Sequence, residues 1–279
     1  MTASLDVQAE LLKLARVLCV APEELAFLAE ADPVELGELR AAVSRRLLAR
    51  DRDRFERAVA LGRHLPAAIT ANLVRHALGP QLAGHAAGLL DPDQVSKFAS
   101  QLPADFLADV AAVTDPGAIG PLVHGIDAAK IMAVTQALVE REEWVIMGAF
   151  VGRVGNDLLR ETIGFFDAEA LLRVGFVLED RSRVDEIFRF LDDERLLDLL
   201  TTAEERDLLG ETIHLVNALD DDGVARVGRM LGELSEERQD ALAGKLLMDA
   251  DLRQAAQRLI DSSPPAVQAT IERAKPQLA

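Results

Sequence analysis

The amino-acid sequence predicts an all-α protein, and three observations carry that prediction. The composition is dominated by Leu, Ala, Arg, Glu and Asp and contains no Tyr. Val and Ile never alternate with polar residues over a strand-length stretch, so the period-two signature of a half-buried strand is missing. Helix-start signatures recur every twelve residues through the middle of the chain. Together they predict short helices stacked as a right-handed or irregular α-solenoid, preceded by an N-terminal helical cap.

The cap occupies residues 1–64 and the solenoid residues 65–279. Apolar residues at helical spacing predict amphipathic helices near Val7–Val20, Val34–Arg50 and Arg54–Leu65, with Asp32-Pro33 as the joint before the second. A terminal repeat lacks a neighbour on one side, so a distinct segment is needed to cover its apolar face.

Beyond the cap, the joints Leu78-Gly79-Pro80, Leu90-Asp91-Pro92, Leu102-Pro103, Thr114-Asp115-Pro116 and Ile126-Asp127 follow one another at the twelve-residue interval. Each has a mechanism. Asp accepts hydrogen bonds from the first free N–H groups of a helix, and Pro at the first helical position gives up only an N–H that has no intrahelical partner. Superposing 90–113 on 114–137 sets Val95 on Ile119, Phe98 on Leu122 and Leu107 on Ile131, so core positions repeat with the joints. Looser joints follow at Phe166-Asp167, Leu178-Glu179, Leu191-Asp192, Leu219-Asp220 and Leu234-Ser235, with a longer gap between Leu191 and Leu219. Asp220-Asp221-Asp222-Gly223 reads as a helix cap, since it lacks the alternating acids and distal Glu of a calcium loop. Units this short cannot bury their own apolar stripe, which is why they must stack.

These joints, as in Leu90-Asp91-Pro92-Asp93-Gln94-Val95 and Leu102-Pro103-Ala104-Asp105-Phe106-Leu107, resemble those of the cytosolic N-terminal superhelical domain of bacterial MgtE-type magnesium channels. The likeness covers about residues 65–250. It implies a superhelix serving as a sensor or adaptor, in a stand-alone relative, because no counterpart of the channel's nucleotide-binding-like modules or membrane pore is read before Ala279.

The formal net charge of -17 would repel phosphate, so no nucleic-acid partner is expected. The acidity is concentrated in residues 140–279, which hold 17 basic and 30 acidic side chains. The single Cys19 lies in an apolar run, is read as a small buried hydrophobe, and fits a reducing, cytoplasmic compartment. Neither a signal peptide nor a transmembrane segment is read; the longest uncharged stretch, residues 76–90, is interrupted by Gly79, Pro80, Gly84 and Gly88.

Standard catalytic and cofactor motifs are absent, and no cofactor or metal site is expected. Arg63-His64 and Arg75-His76 read as cations facing helix C-termini, with an anion site near His85 as the sharper alternative. The region of most chemical interest is 124–190. Seven of the eleven Phe and Trp residues fall within 144–190, interleaved with glycines, and Trp144–Val151 is apolar all round, as in a helix buried on every side. Arg173 and Lys130 stand alone in apolar runs, where each cation either snorkels to water or meets a buried carboxylate. The candidate ligand-binding residues are therefore His124, Lys130, Trp144, Met147, Phe150, Arg153, Phe166, Arg173 and Phe176.

Two functional readings follow. The first is an interaction or regulatory module that receives a protein partner. The alternative is a binder of an apolar small molecule, or a cofactor-independent isomerase or lyase, with its pocket in residues 124–190. Nothing in the sequence fixes an oligomeric state.

Overall fold

The computed structural model describes residues 4–49, 67–87, 90–114, 123 and 125–274. Helix is their regular structure, and no strand occurs among them. The chain groups into two compact units, a middle unit of residues 10–162 and a C-terminal unit of residues 163–279 together with residues 1–9. The division expected at residue 64 lies outside the described residues.

The middle unit takes most of helix α1 (Leu5–Leu18), a 3-10 turn (Pro22–Leu28) and α2 (Pro33–Ala49). Asp32 starts α2: its Oδ1 accepts from the N–H groups of Val34 at 2.8 Å and Glu35 at 3.2 Å. These helices match the first two of the predicted cap, and the third, Arg54–Leu65, falls outside the described residues. Glu10 of α1 answers two cations, Lys13 at 2.7 Å and Arg40 of α2 at 3.2 Å, with Lys13 only 5% exposed. A carboxylate shared in this way ties α1 to α2.

Next come α3 (Ala67–Leu73), a π-turn (Val74–Leu78), α4 (Gly79–Ala87), α5 (Pro92–Gln101) and α6 (Ala104–Val113). They lead to α7 (Ala128–Glu140), α8 (Trp144–Val151) and α9 (Asn156–Ile163). Asp91 and Gln94 form a reciprocal capping box before α5, with Pro92 at the first helical position. Asp127 caps α7 through the N–H groups of Ala129 at 2.9 Å and Lys130 at 3.4 Å. The joint at 78–80 departs from the prediction. Helical structure continues through it, and the break is a bend at Gly79, whose φ of 75° is open to glycine and costly to other residues. In this unit α3 packs on α5, α4 on α6, α6 on α7 and α7 on α8.

The C-terminal unit contains α10 (Ala168–Phe176), α11 (Ser182–Phe190), α12 (Asp193–Glu205), α13 (Leu209–Val216) and α14 (Asp221–Glu233). It ends with α15 (Glu236–Met248), α16 (Ala250–Ala255), α17 (Gln257–Ser262) and α18 (Pro265–Ala274). Four joints hold the predicted caps. Asp167, Asp192 and Asp220 accept from the N–H three residues on at 2.8, 2.8 and 2.7 Å, and Ser235 does so at 3.4 Å. At Leu178-Glu179 the helix starts later than predicted, at Ser182, and Asp180 supplies the carboxylate for its N–H at 3.0 Å. The long gap between Leu191 and Leu219 is filled by the unpredicted α13, which follows Asp207 in a left-handed conformation with φ 58°.

Packing in this unit joins helices two or three apart in the chain: α10 lies against α12 and α13, α12 against α14, α14 against α17, and α15 against α18. The apolar interior around Ile213, Ala243, Leu246 and Val267 also takes up Leu5 of α1, which is why the first residues belong here.

Candidate functional site

The described candidate residues fall in both units, and each is taken up locally. In the middle unit, α8 leaves none of its residues exposed, with Ile146, Met147, Gly148 and Ala149 fully buried. Phe150 packs into a cluster built on Val95 and Val123. Trp144 is half-buried at the start of α8, after Glu142, which is left-handed at φ 55°. Arg153 donates back to the Ala149 carbonyl, and His124 lies outside the described residues. In the C-terminal unit Phe166 and Phe176 are buried at 7% and 5% exposure. Arg173 meets Glu169 one turn earlier at 2.9 Å, and Glu169 also pairs with Arg206 at 3.4 Å, so Arg173 is answered by a half-buried carboxylate.

Lys130 shows what several of these cations do. Its Nζ donates at 2.8 Å to the carbonyl of Leu102, at the joint before α6. The same contact recurs in the C-terminal unit. Arg195 of α12 donates to the Phe166 carbonyl before α10. Arg226 of α14 donates to the Leu191 carbonyl before α12 at 2.9 Å, and Arg258 of α17 to the Leu219 carbonyl before α14 at 2.8 Å. The physical reason is common to all four. A carbonyl preceding the N-cap comes before the first acceptor of the helical ladder, so it needs a donor from elsewhere. A cation on the helix packed alongside supplies a charge-assisted one.

Two of these latches carry a second bond. Arg226 also reaches Asp193 at 2.6 Å and Arg258 reaches Asp221 at 2.6 Å, each carboxylate standing at the first helical position after the cap. At the Phe166 joint that position is Ala168, and Arg195 instead turns to Asp198 of its own helix at 2.9 Å. Beside Arg195 a cleft of about 440 Å³ is lined by Ile163, Phe190, Leu191, Asp192, Glu194, Arg195 and Asp198. None of the candidate residues lines it, and its four charged side chains suit a polar rather than an apolar guest.

One site escaped the sequence reading. His214 of α13 is 8% exposed, and both ring nitrogens face charged groups: Nε2 is 3.3 Å from Nη2 of Arg181, and Nδ1 is 3.4 Å from Oδ1 of Asp6. Arg181 also donates to Asp6, and Phe176 meets the ring edge-on with centroids 4.9 Å apart. The run Ile213-His214-Leu215-Val216 was the available signal, since a histidine amid apolar residues must find partners when buried.

Cys19 is exposed rather than buried, because it ends α1 in a left-handed conformation (φ 56°) that turns it outward. Arg75 and His76 are exposed on the π-turn, whereas Arg63-His64 lies outside the described residues and the side chain of His85 is not described. Among the described residues no group of three or more His, Cys, Asp or Glu could hold a metal ion, and no helix is long and apolar enough to cross a membrane.

Asp220 and Arg238 have shifted ionisation. The Gly223 N–H, foremost, holds the Asp220 carboxyl below its ordinary range, with Arg189 adding to the effect. The Glu205 carboxylate raises Arg238, which also bonds Glu204 at 3.0 Å. Both shifts belong to helix ends and helix pairs.

These features define an all-helical protein whose cations bridge helix to helix. Comparison with known proteins found no matching family model, no matching curated protein and no matching solved structure.

Proposed function

We propose that the chain is an α-solenoid scaffold of the cytoplasm that binds a protein partner in a regulatory or adaptor role. The observation that carries the reading is the engagement of Lys130, Arg173, Arg195, Arg226 and Arg258 in contacts between or along helices, which leaves these cations to architecture rather than chemistry. Packing between helices two and three apart supports the solenoid, since stacked repeats set each helix against members of the next unit rather than against its chain neighbour alone. The resemblance of the joints to those of MgtE-type channels points the same way. With a formal net charge of -17, the surface favours a partner whose contact face is basic and disfavours nucleic acid.

The test is affinity capture by the tagged full chain from lysate of its native host, at low and high salt. A stoichiometric partner, released by salt and rebinding as a purified protein, is the expected result. Failure to recover one, together with a small molecule retained in native mass spectrometry, would overturn the reading.

A second reading rests on the cleft beside Arg195, whose volume of about 440 Å³ is in the range of small-molecule sites. On that reading the ligand is polar, and it is the species the native mass spectrum would reveal.

A further inference from the structure

Helix α2 turns one side toward α1. Leu36 is buried at 2% exposure, Arg40 reaches Glu10 of α1, and a Cβ on Gly37 would stand 3.6 Å from the same Glu10 carboxylate. With about 3.6 residues per turn, these three positions share a side of the helix. The side turned away carries Glu35, Leu39, Ala42 and Arg46, all of them exposed, with Leu39 at 45%. The Glu35 and Arg46 side chains enter no hydrogen bond or ion pair among the described residues.

These four residues are four, three and four positions apart, the alternation that lines up along a seam between two helices. Their chemistry runs acid, large apolar, small apolar, base. The midpoint between Leu39 and Ala42 is also the midpoint between Glu35 and Arg46. A second α2 laid antiparallel about that point therefore sets Leu39 on Ala42 of the second copy and Glu35 beside Arg46 of the second copy, and the two-fold axis repeats each pair. Ala42 leaves the space that Leu39 fills. A parallel pairing would instead oppose Glu35 to Glu35 and Arg46 to Arg46. With 30 basic against 47 acidic side chains, the chain as a whole repels its own copy, so a contact between copies needs base set against acid at the seam itself.

We propose that the outward side of α2 is a docking surface for a second copy of this chain, the two helices pairing antiparallel across Glu35, Leu39, Ala42 and Arg46. The apolar residues form the centre of the contact and the charge pairs its ends, which is the arrangement of core and rim in a protein interface. Helix α2 has 17 residues, so the pair covers less area than a standard interface and the dimer is weak and concentration-dependent. The surface lies within the middle unit, and the inference goes beyond the scaffold reading, whose partner is a different protein.

The experiment is sedimentation equilibrium of the full chain between about 1 and about 200 µM, a range suited to a weak contact. The wild-type chain should pass from monomer to dimer across it. Glu35→Arg and Arg46→Glu each set like charges together at both ends of the seam, and each alone should weaken association roughly tenfold or more. Mixed in equal amounts, the two variants supply opposite charges to one another and should recover the wild-type association as a heterodimer. A wild-type chain that stays monomeric throughout, with the surface bare or taken by a different protein, would overturn the inference. So would single variants that associate like wild type, or a mixture that associates no better than its components.

Discussion

Arg226→Met tests the latch directly. The side chain is 25% exposed and makes three kinds of contact: the Leu191 carbonyl at 2.9 Å, Asp193 at 2.6 Å, and the face of Phe188 at 5.3 Å from the ring centroid. Methionine keeps much of the apolar stem contact and removes the charge. A hydrogen bond from a charged donor is worth about 1.5–3 kcal/mol, and its loss strands the carbonyl of a residue only 9% exposed. The Asp193 side chain is 62% exposed, so that pair contributes about 0.2–1 kcal/mol, and the ring contact adds about 0.5–1 kcal/mol. Because these contacts share one guanidinium they are not fully additive, and we expect a loss of about 2–3 kcal/mol for Arg226→Met against less than about 1 kcal/mol for Asp193→Ala. Urea unfolding followed by circular dichroism reads both as shifts in midpoint at constant slope. If Arg226→Met lies within about 0.5 kcal/mol of wild type, or Asp193→Ala costs as much as Arg226→Met, the carbonyl is not the acceptor that matters.

Two helical glycines offer an internal contrast. A Cβ at Gly228 would stand 3.0 Å from the Ser263 Cα and 3.2 Å from the Ser262 carbonyl, so Gly228→Ala should cost about 1–3 kcal/mol; at Gly244 nothing lies within 4 Å, and Gly244→Ala should gain about 0.5–1 kcal/mol in the same urea assay. The cap of α14 gives a pH prediction. Since the Gly223 N–H lowers the Asp220 carboxyl below 3.8, the cap's contribution is present above the unfolded value and is lost only as pH falls through the lower folded one. The Gly223 amide should therefore keep its exchange protection, corrected for intrinsic rate, from about pH 6 down to about pH 4, and Asp220→Ala should remove it at both.

What the sequence made legible was local. Asp91, Asp127, Asp167, Asp192, Asp220 and Ser235 could be read as caps because a cap is decided within three residues of itself. The burial of Trp144–Val151 was legible because an apolar run declares itself. Gly79 was misread because Gly-Pro marks a bend as well as a start, and only the backbone around it decides which. Cys19 was misread because an apolar neighbourhood in sequence says nothing of which way the chain turns after its helix. The partners of His214 could not be found by spacing. Arg181 lies 33 residues away and Asp6 sits on the first helix of the chain.

The latches explain why cations were the hardest group to read. Lys130 and Arg173 drew attention because they interrupt apolar runs, yet Arg195, Arg226 and Arg258 carry no such mark in the sequence and make the same kind of contact as Lys130. Their acceptors lie 29, 35 and 39 residues upstream, so no fixed period links donor to joint. The acceptor is a backbone carbonyl, present at every joint whatever the side chain, and only the donor has to be specified. Helices of any length can therefore intervene, provided one packed alongside brings a cation to the joint. An architecture held in this manner constrains the joints tightly and the intervals loosely, which is why the joints were visible as a pattern while the bonds across them were not.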